Sequence, residues 1–367
     1  MCLYPNRVFY TGRLTENGKK ETVFTSRNTN YMYRHYGEQR WIPGSQGTAA
    51  ETRALGYQVL DSYDDVPCGQ CIECRLNYAR SWSCRIMNEV SLYPESTCWF
   101  VTCTYDDDHL PPARPIIKVD DETGEITTRI SEFNTICLKD HQDFMKRLRR
   151  HFADKSDMKV KFFASLEYGE KSLRPHIHYI LFGVYLDDLR LYKITPSGDK
   201  LYTSECLQSI WNYPYEERGF VTVGAVTVDS ASYIARYAIK KRKMIDTKFY
   251  EDMGIDPERL VMSRRPGIGK EWFEQHKDEI YDCDEIVLPS RTGAITVKPP
   301  RYYDKLFEVI SMDQFEKIKE NRKIMAEKQE QTFEHLHPFM DRENVNATKE
   351  RNYLKQISLL KAREAGG

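Results

Sequence analysis

The ten residues Arg174-Pro175-His176-Ile177-His178-Tyr179-Ile180-Leu181-Phe182-Gly183 restrict the fold more than any other stretch of the chain. Side chains alternate faces along a strand, so His176 and His178 share a face with Ile180 and Phe182. Ile177, Tyr179 and Leu181 line the other. A run apolar on both faces reads as a central strand covered above and below. Two imidazoles turned into a covered face are costly to bury without a shared partner. A divalent metal ion supplies one; two hydrogen-bonded core histidines are the other reading.

Residues 160–168 form a second strand pattern, and Gly169 to Leu173 turn the chain back into the histidine strand. If antiparallel pairing sets Glu167 opposite His176, the carboxylate and both imidazoles share one face. A slip of one residue turns Glu167 away. The three together suit Mg²⁺ or Mn²⁺.

Before these strands, the β-rich run Cys98 to Tyr105 ends at Asp106-Asp107-Asp108, which reads as metal ligands or as solvated turn chemistry. A Thr123-Gly124 turn between residues 116–119 and 126–130 predicts an inserted hairpin. Asp140 is the expected cap of a helix running to Phe152, with Phe144, Met145, Leu148 and Phe152 as its apolar stripe. Its other positions include Lys146, Arg147, Arg149 and Arg150, a phosphate-facing surface or a solvated face. After the histidine strand come a helix over 202–212, a strand over 219–226 and a helix from Asp229-Ser230 onward. That last helix carries Tyr233 and Tyr237 at i, i+4, on one face, with Arg236, Lys240 and Lys241 on or beside it. The loop Ser263-Arg264-Arg265-Pro266-Gly267-Ile268-Gly269-Lys270 lacks full Walker spacing and a following Ser/Thr, which excludes nucleotide hydrolysis. A basic, glycine-containing loop of this kind touches a nucleic-acid backbone or makes a plain turn.

The run Pro67-Cys68-Gly69-Gln70-Cys71-Ile72-Glu73-Cys74 has the two-residue gaps that converge thiolates on a metal. A structural zinc through Cys68, Cys71, Cys74 and Cys84 is one reading; a helix start with free thiols is the other. Residues 28–56 show no period and read mostly as loop, whereas residues 7–10 and 21–24 predict a hairpin around Asn17-Gly18. From Met312 on the chain is charged and helical, with a break expected at Pro338. His335 and His337 repeat the i, i+2 spacing on a helix, where such residues diverge.

A net charge of −1 carries no nucleic-acid signal by itself, so any basic surface must be local. No apolar run is long enough to span a bilayer, and the first residues lack a secretory pattern, so a cytoplasmic location with reduced cysteines is expected. The expected fold class is α+β: an antiparallel sheet of four to five strands with helices on it. It occupies 96–250, between a cysteine-containing extension (1–95) and a region with the basic loop and charged helices (251–367).

The order strand, basic helix, strand, histidine strand, helix, strand, tyrosine helix resembles the HUH endonucleases. The chain is similar in particular to the replication initiators of microviruses, of gokushovirus type. The resemblance rests on His176-Ile177-His178 and Tyr233-x₃-Tyr237-x₂-Lys240, with support from the cysteine run, residues 100–111 and Ser263 to Gly269. It implies an HUH, RRM-like nuclease core in which His176 and His178 bind a divalent cation with Glu167 as third ligand. It further implies that Tyr233 or Tyr237 attacks the scissile phosphorus, leaving a 5′-phosphotyrosine link and a 3′-OH primer, and that the second tyrosine acts after one round. Lys240 and Lys241 are candidates to favour the phenolate or hold phosphate oxygens. Arg147, Arg150, Arg236, Arg264 and Arg265 are the candidate DNA contacts. The expected partners are single-stranded or supercoiled origin DNA, a host helicase, since nothing here resembles one, and the host replication machinery, all in the host cytoplasm. Two competing readings are a plasmid mobilisation relaxase and a non-catalytic nucleic-acid-binding module with structural zinc.

Overall fold

The computed structural model describes residues 2–365 except 17, 19, 45–46, 121, 155–157, 170–171, 197, 243–246, 291–292, 337–338 and 340. The side chains of 236–247, 290, 342 and 356–365 also lie outside the described set. The chain divides into two compact units, 1–77 with 340–358, and 78–339 with 359–367.

The first unit opens with β1 (Asn6–Leu14), which pairs with β2 (Lys20–Thr25), the expected hairpin. Residues 28–56, expected to be mostly loop, hold β3 (Tyr31–Arg34), β4 (Ile42–Gly44) and α1 (Ala49–Ala54). They fold because Tyr31 and Met32 are buried, and because Thr48 and Glu51 form a reciprocal capping box. That Thr-x-x-Glu signal was present in the sequence. β5 (Gln58–Leu60) pairs with β3, and β6 (Tyr63–Val66) pairs with β1. Helix α2 (Ile72–Val90) carries the chain into the second unit.

The second unit is built on an antiparallel seven-stranded sheet, so the α+β class holds. Its central strands are β7 (Cys98–Thr104), β10 (Lys161–Tyr168) and β11 (Pro175–Phe182). Two further strands are inserted as the hairpin β8 (Ile116–Val119) and β9 (Ile126–Arg129), ahead of α3 (Leu138–Phe152). The sheet gains β12 (Arg190–Ile194) and β13 (Lys200–Thr203) as an edge hairpin, then α4 (Glu205–Asn212) leads to β14 (Val221–Ala225). Helix α5 (Val228–Arg242) and α6 (Thr247–Met253) precede β15 (Arg259–Met262), which closes the strand order β12-β13-β14-β7-β11-β10-β15. Beyond lie α7 (Lys270–Cys283), the hairpin β16 (Ile286–Ser290) and β17 (Gly293–Val297), α8 (Arg301–Ile310), α9 (Met312–Leu336) and α10 (Arg342–Ala365).

Helices cover both sheet faces. Phe144, Met145 and Leu148 of α3 and Leu207 and Trp211 of α4 pack on Ile177, Tyr179 and Leu181. Ala231, Ile234 and Ala235 of α5, with Ala79, Trp82 and Ile86 of α2, pack on Ile180, Phe182 and Phe163. The alternation in β11 therefore sorts its residues between two cores. Two caps differ from expectation. Cys137, not Asp140, precedes α3; Asp140 sits in the first turn and receives Tyr105 Oη at 2.9 Å and the Arg218 guanidinium. Thr227, not Asp229, caps α5, through reciprocal hydrogen bonds with Ser230.

The α3 face also carries His141 into the core, 3.2 Å from Tyr179 Oη. Burial, reinforced by Arg149, pushes its imidazole down from 6.5 to about 4. The unfolded chain protonates this group near pH 6.5, whereas the folded chain resists until about pH 4. Stability is therefore lost as pH falls across that window, by at most about 3 kcal/mol from this residue. In urea denaturation, His141→Asn should flatten the decline between pH 6.5 and 4 relative to the parent. An unchanged slope would assign the acid sensitivity elsewhere.

Candidate active site

Strand pairing decides what His176 and His178 meet. The β10–β11 register pairs Glu167 with His176 and Ser165 with His178. Both imidazoles and the carboxylate thus emerge on the α5 face of the sheet. Glu167 is fully buried, and its Oε1 lies 2.9 Å from His178 Nε2 and 3.4 Å from His176 Nε2. One ligand atom from each residue falls within 4.8 Å of the others.

Their hydrogen bonds orient the rings. His176 Nδ1 lies 3.2 Å from the Arg174 carbonyl, which can only accept, so that nitrogen carries the proton. Neutral His176 then turns the lone pair of Nε2 toward Glu167. His178 Nδ1 is engaged by Thr102 Oγ1 at 2.8 Å, and Phe100 stacks on the ring with centroids 5.4 Å apart. Neither Glu167 oxygen accepts an aligned hydrogen bond, despite the short approach to His178. Burial pushes the Glu167 carboxyl up, but its contacts with His178 and His176 outweigh this and hold it down at about 2. Burial likewise pushes the His178 imidazole down, against the opposing pull of Glu167.

A buried carboxylate facing imidazole nitrogens, with outer hydrogen bonds fixing the rings, is the donor set of a hard or borderline divalent cation. Carboxylate oxygen and neutral imidazole fit Mg²⁺ or Mn²⁺ in kind, and no thiolate competes at this point.

Tyr233 of α5 packs edge-on against His178, with centroids 5.3 Å apart, and also meets the edge of Phe100 at 6.1 Å. The backbone of Arg236, Tyr237, Lys240 and Lys241 continues α5, one to two turns on; their side chains lie outside the described residues.

The remaining sequence candidates are placed elsewhere. Arg147 and Arg150 ride on α3, which covers the opposite face of the sheet. Arg147 is half-buried and gives its Nε to the Ile210 carbonyl at 2.9 Å; Arg150 is exposed. Arg264 and Arg265 are exposed in the loop after β15. That loop leaves beside Phe162, where Ser263 N meets the Phe162 carbonyl at 2.9 Å. Five strand residues, about 17 Å, separate that level from Glu167. Asp106 and Asp107 serve the loop: Asp106 accepts from His109 N and Nδ1, and Asp107 pairs with Arg174.

Cys84 does not join the other candidate thiols. It is buried with Phe273, Tyr303 and Phe307 and receives Asn88 Nδ2. Ten helical residues separate it from Cys74, a rise of about 15 Å. The thiol that meets Cys68, Cys71 and Cys74 is Cys2. No local spacing could have shown this, because Cys2 is 66 residues from Cys68. Thr102 and Phe100 were also missed. Their signal was the alternation of β7, which becomes informative only once β7 is paired with β11 in the register Thr102↔His178.

Among the described residues, no helix is long and apolar enough to cross a membrane. No solved structure matches the chain significantly. A family model for replication-associated proteins of the ORF2 type matches residues 98–242, the run from β7 to α5 that contains this site. Replication-associated protein ORF2 of Spiroplasma virus 4 is 34% identical over 268 residues, covering 72% of this chain and 75% of that protein. Replication-associated protein VP4 of Bdellovibrio phage phiMH2K is 30% identical over 272 residues, with shares of 72% and 75%. Replication-associated protein ORF4 of Chlamydia phage 1 is 28% identical over 272 residues, with shares of 69% and 58%. Since the matched stretch holds the sheet, the carboxylate–histidine cluster and the tyrosine helix together, and the similarity to two phage proteins runs through most of each, the chain belongs to the family of replication-associated proteins.

Proposed function

We propose that this protein starts rolling-circle replication of a phage genome by nicking and later rejoining single-stranded origin DNA, as an HUH-type endonuclease. The observation that carries this reading is the convergence of Glu167 Oε1 with the Nε2 atoms of His176 and His178 beneath a helix that bears two tyrosines. A divalent ion, when bound there, supplies Lewis-acid polarisation of the scissile phosphate.

The protein's own groups do the rest. Glu167 and the two imidazoles fix the position of the reacting phosphate relative to α5. Thr102 and the Arg174 carbonyl hold the rings in the binding tautomer. The phenol oxygen of Tyr233 or Tyr237 loses its proton and attacks phosphorus. A tyrosine–phosphorus ester forms, the bond to the 3′ oxygen breaks, and that oxygen takes a proton to become the 3′-OH primer. A free phenol has a pKa near 10, so a nearby cation is needed; Lys240 and Lys241, one turn beyond Tyr237, are assigned this role. The phosphotyrosine ester retains the energy of the cleaved bond, so rejoining needs no nucleotide hydrolysis. Spacing of i, i+4 lets a second phenol serve the same centre in the next round. Strand opening falls to a host helicase.

The test is covalent capture. The protein, Mn²⁺ and a set of single-stranded segments spanning the phage genome should give a DNA–protein adduct on a denaturing gel. Tyr233→Phe/Tyr237→Phe should remove it completely, and the single variants should show which phenol acts first. No adduct with any segment under any divalent ion would reject the nickase and favour a non-catalytic DNA-binding module.

A further inference from the structure

Four thiols meet in the first unit, at a point the replication chemistry does not use. Cys2 Sγ lies 3.5 Å from Cys68 Sγ and 3.7 Å from Cys71 Sγ. With Cys74 added, all four sulfurs lie within 4.8 Å of one another. We propose that Cys2, Cys68, Cys71 and Cys74 hold one structural Zn²⁺ in a tetrathiolate site.

Distance argues first. Tetrahedral zinc with bonds of about 2.3 Å sets its ligand sulfurs about 3.8 Å apart. The observed separations match that value and exceed the roughly 2.05 Å of a disulfide. Four thiols converging on one point also exceed what packing of small apolar groups requires.

The surrounding backbone argues second. Cys71 N donates to Cys68 Sγ at 3.2 Å, Gln70 N to the same sulfur at 3.4 Å, and Cys68 N to Cys2 Sγ at 3.3 Å. N–H groups aimed at sulfur favour thiolate over thiol, and a tight turn that aims several of them is how short Cys-x₂-Cys loops present ligands. The Cys68–Cys71 and Cys71–Cys74 gaps supply such turns, the second running into the start of α2. The buried Arg75 guanidinium lies within electrostatic reach of Cys71 and offsets part of the charge of a tetrathiolate centre.

The shell argues third. Leu3, Ile72 and Tyr353 pack around the thiols, and α10 is tied alongside: Asn346 Nδ2 donates to the Leu3 carbonyl at 2.8 Å, and Tyr4 Oη to Glu350 at 3.0 Å. A metal here would fasten the segment before β1, the start of α2 and α10 to one point. These are pieces far apart in sequence that small sheets alone hold weakly.

Metal analysis of the full-length protein, purified without chelator, should find one equivalent of zinc. Titrating its thiols with a mercurial should release that zinc, as read by a chromogenic chelator. Replacement by Co²⁺ should give the strong sulfur-to-metal charge-transfer absorption and intense visible bands of four thiolates. Cys2→Ser should lose the zinc or shift the Co²⁺ spectrum, whereas Cys84→Ala and His176→Ala/His178→Ala should retain both signatures. The last variant separates this site from the carboxylate–histidine cluster. The proposal is overturned if the parent binds no zinc and no Co²⁺ with thiolate absorption. It is equally overturned if Cys2→Ser leaves the spectrum unaltered, if Cys84→Ala removes it, or if mass analysis of the unreduced protein shows these cysteines as two disulfides. Because the measurements on the parent need no variant to fold, a misfolded Cys2→Ser protein does not block the answer.

Discussion

Glu167→Gln lowers DNA cleavage by roughly 10²–10³-fold and abolishes tight Mn²⁺ binding at the histidine pair. The carboxylate is fully buried, and its charge is the only anionic contribution in the Glu167–His176–His178 cluster. Glutamine keeps the shape but presents a neutral oxygen, so the attraction for a dication falls. Loss of several kcal/mol of transition-state charge stabilisation corresponds to that drop in rate. Held down at about 2, the carboxyl is ionised throughout the range in which the protein can work, so the variant should be defective at every such pH. Mn²⁺ binding followed by electron paramagnetic resonance, alongside cleavage of a labelled strand, checks both halves. Unchanged Mn²⁺ affinity in Glu167→Gln, with the thermal midpoint also unchanged, would remove the residue from the ligand set.

The second large effect is on stability. Glu89 of α2 is fully buried, and its Oε1 meets Lys161 Nζ of β10 at 2.7 Å. Its other oxygen accepts Gly269 N at 2.7 Å, at the start of α7. Lys161 is buried too, and its second partner, Glu271, is half-exposed. Burial pushes the Lys161 ammonium down, and its contacts with Glu271 and Glu89 outweigh this and raise it. The stabilisation is therefore present below pH 10.5 and is lost only as pH rises beyond the raised value. Glu89→Ala leaves a buried cation short of its main partner, a backbone N–H without its acceptor, and a void between α2 and the sheet. Breaking a buried pair from one side costs about 3–5 kcal/mol, a large share of a typical domain's stability. Urea denaturation should show that loss, and Glu89→Leu/Lys161→Met should recover much of it, because removing both charges strands neither. A loss below about 1 kcal/mol in Glu89→Ala would mean that the pair is not held in this buried geometry.

Much of the sheet was readable before any coordinates. Strand alternation placed His176 and His178 on one face and Ile177, Tyr179 and Leu181 on the other, and both faces are covered by helices. The order of strands and helices from β7 to α5 also followed from local patterns. The edge hairpin β12–β13 and the edge strand β15 did not, because Arg190–Ile194 is exposed along its whole length and shows no burial period. The two small sheets of the first unit were missed for a related reason. Strands of three or four residues are too short for a period to emerge, so pairing rather than pattern makes them.

What the residue order determined by itself was whatever acts within a few positions. It set which side chains share a strand face, the convergence of the Cys68–Cys71–Cys74 turns, and the i, i+4 placement of Tyr233 and Tyr237. Tertiary structure alone decided which distant partners those groups meet: Glu167 rather than its neighbours across from His176, Thr102 behind His178, and Cys2 rather than Cys84 beside the other thiols. The reason is geometric. A residue's direction is a property of its own backbone, but its company depends on cross-strand register and chain closure, which no short window contains.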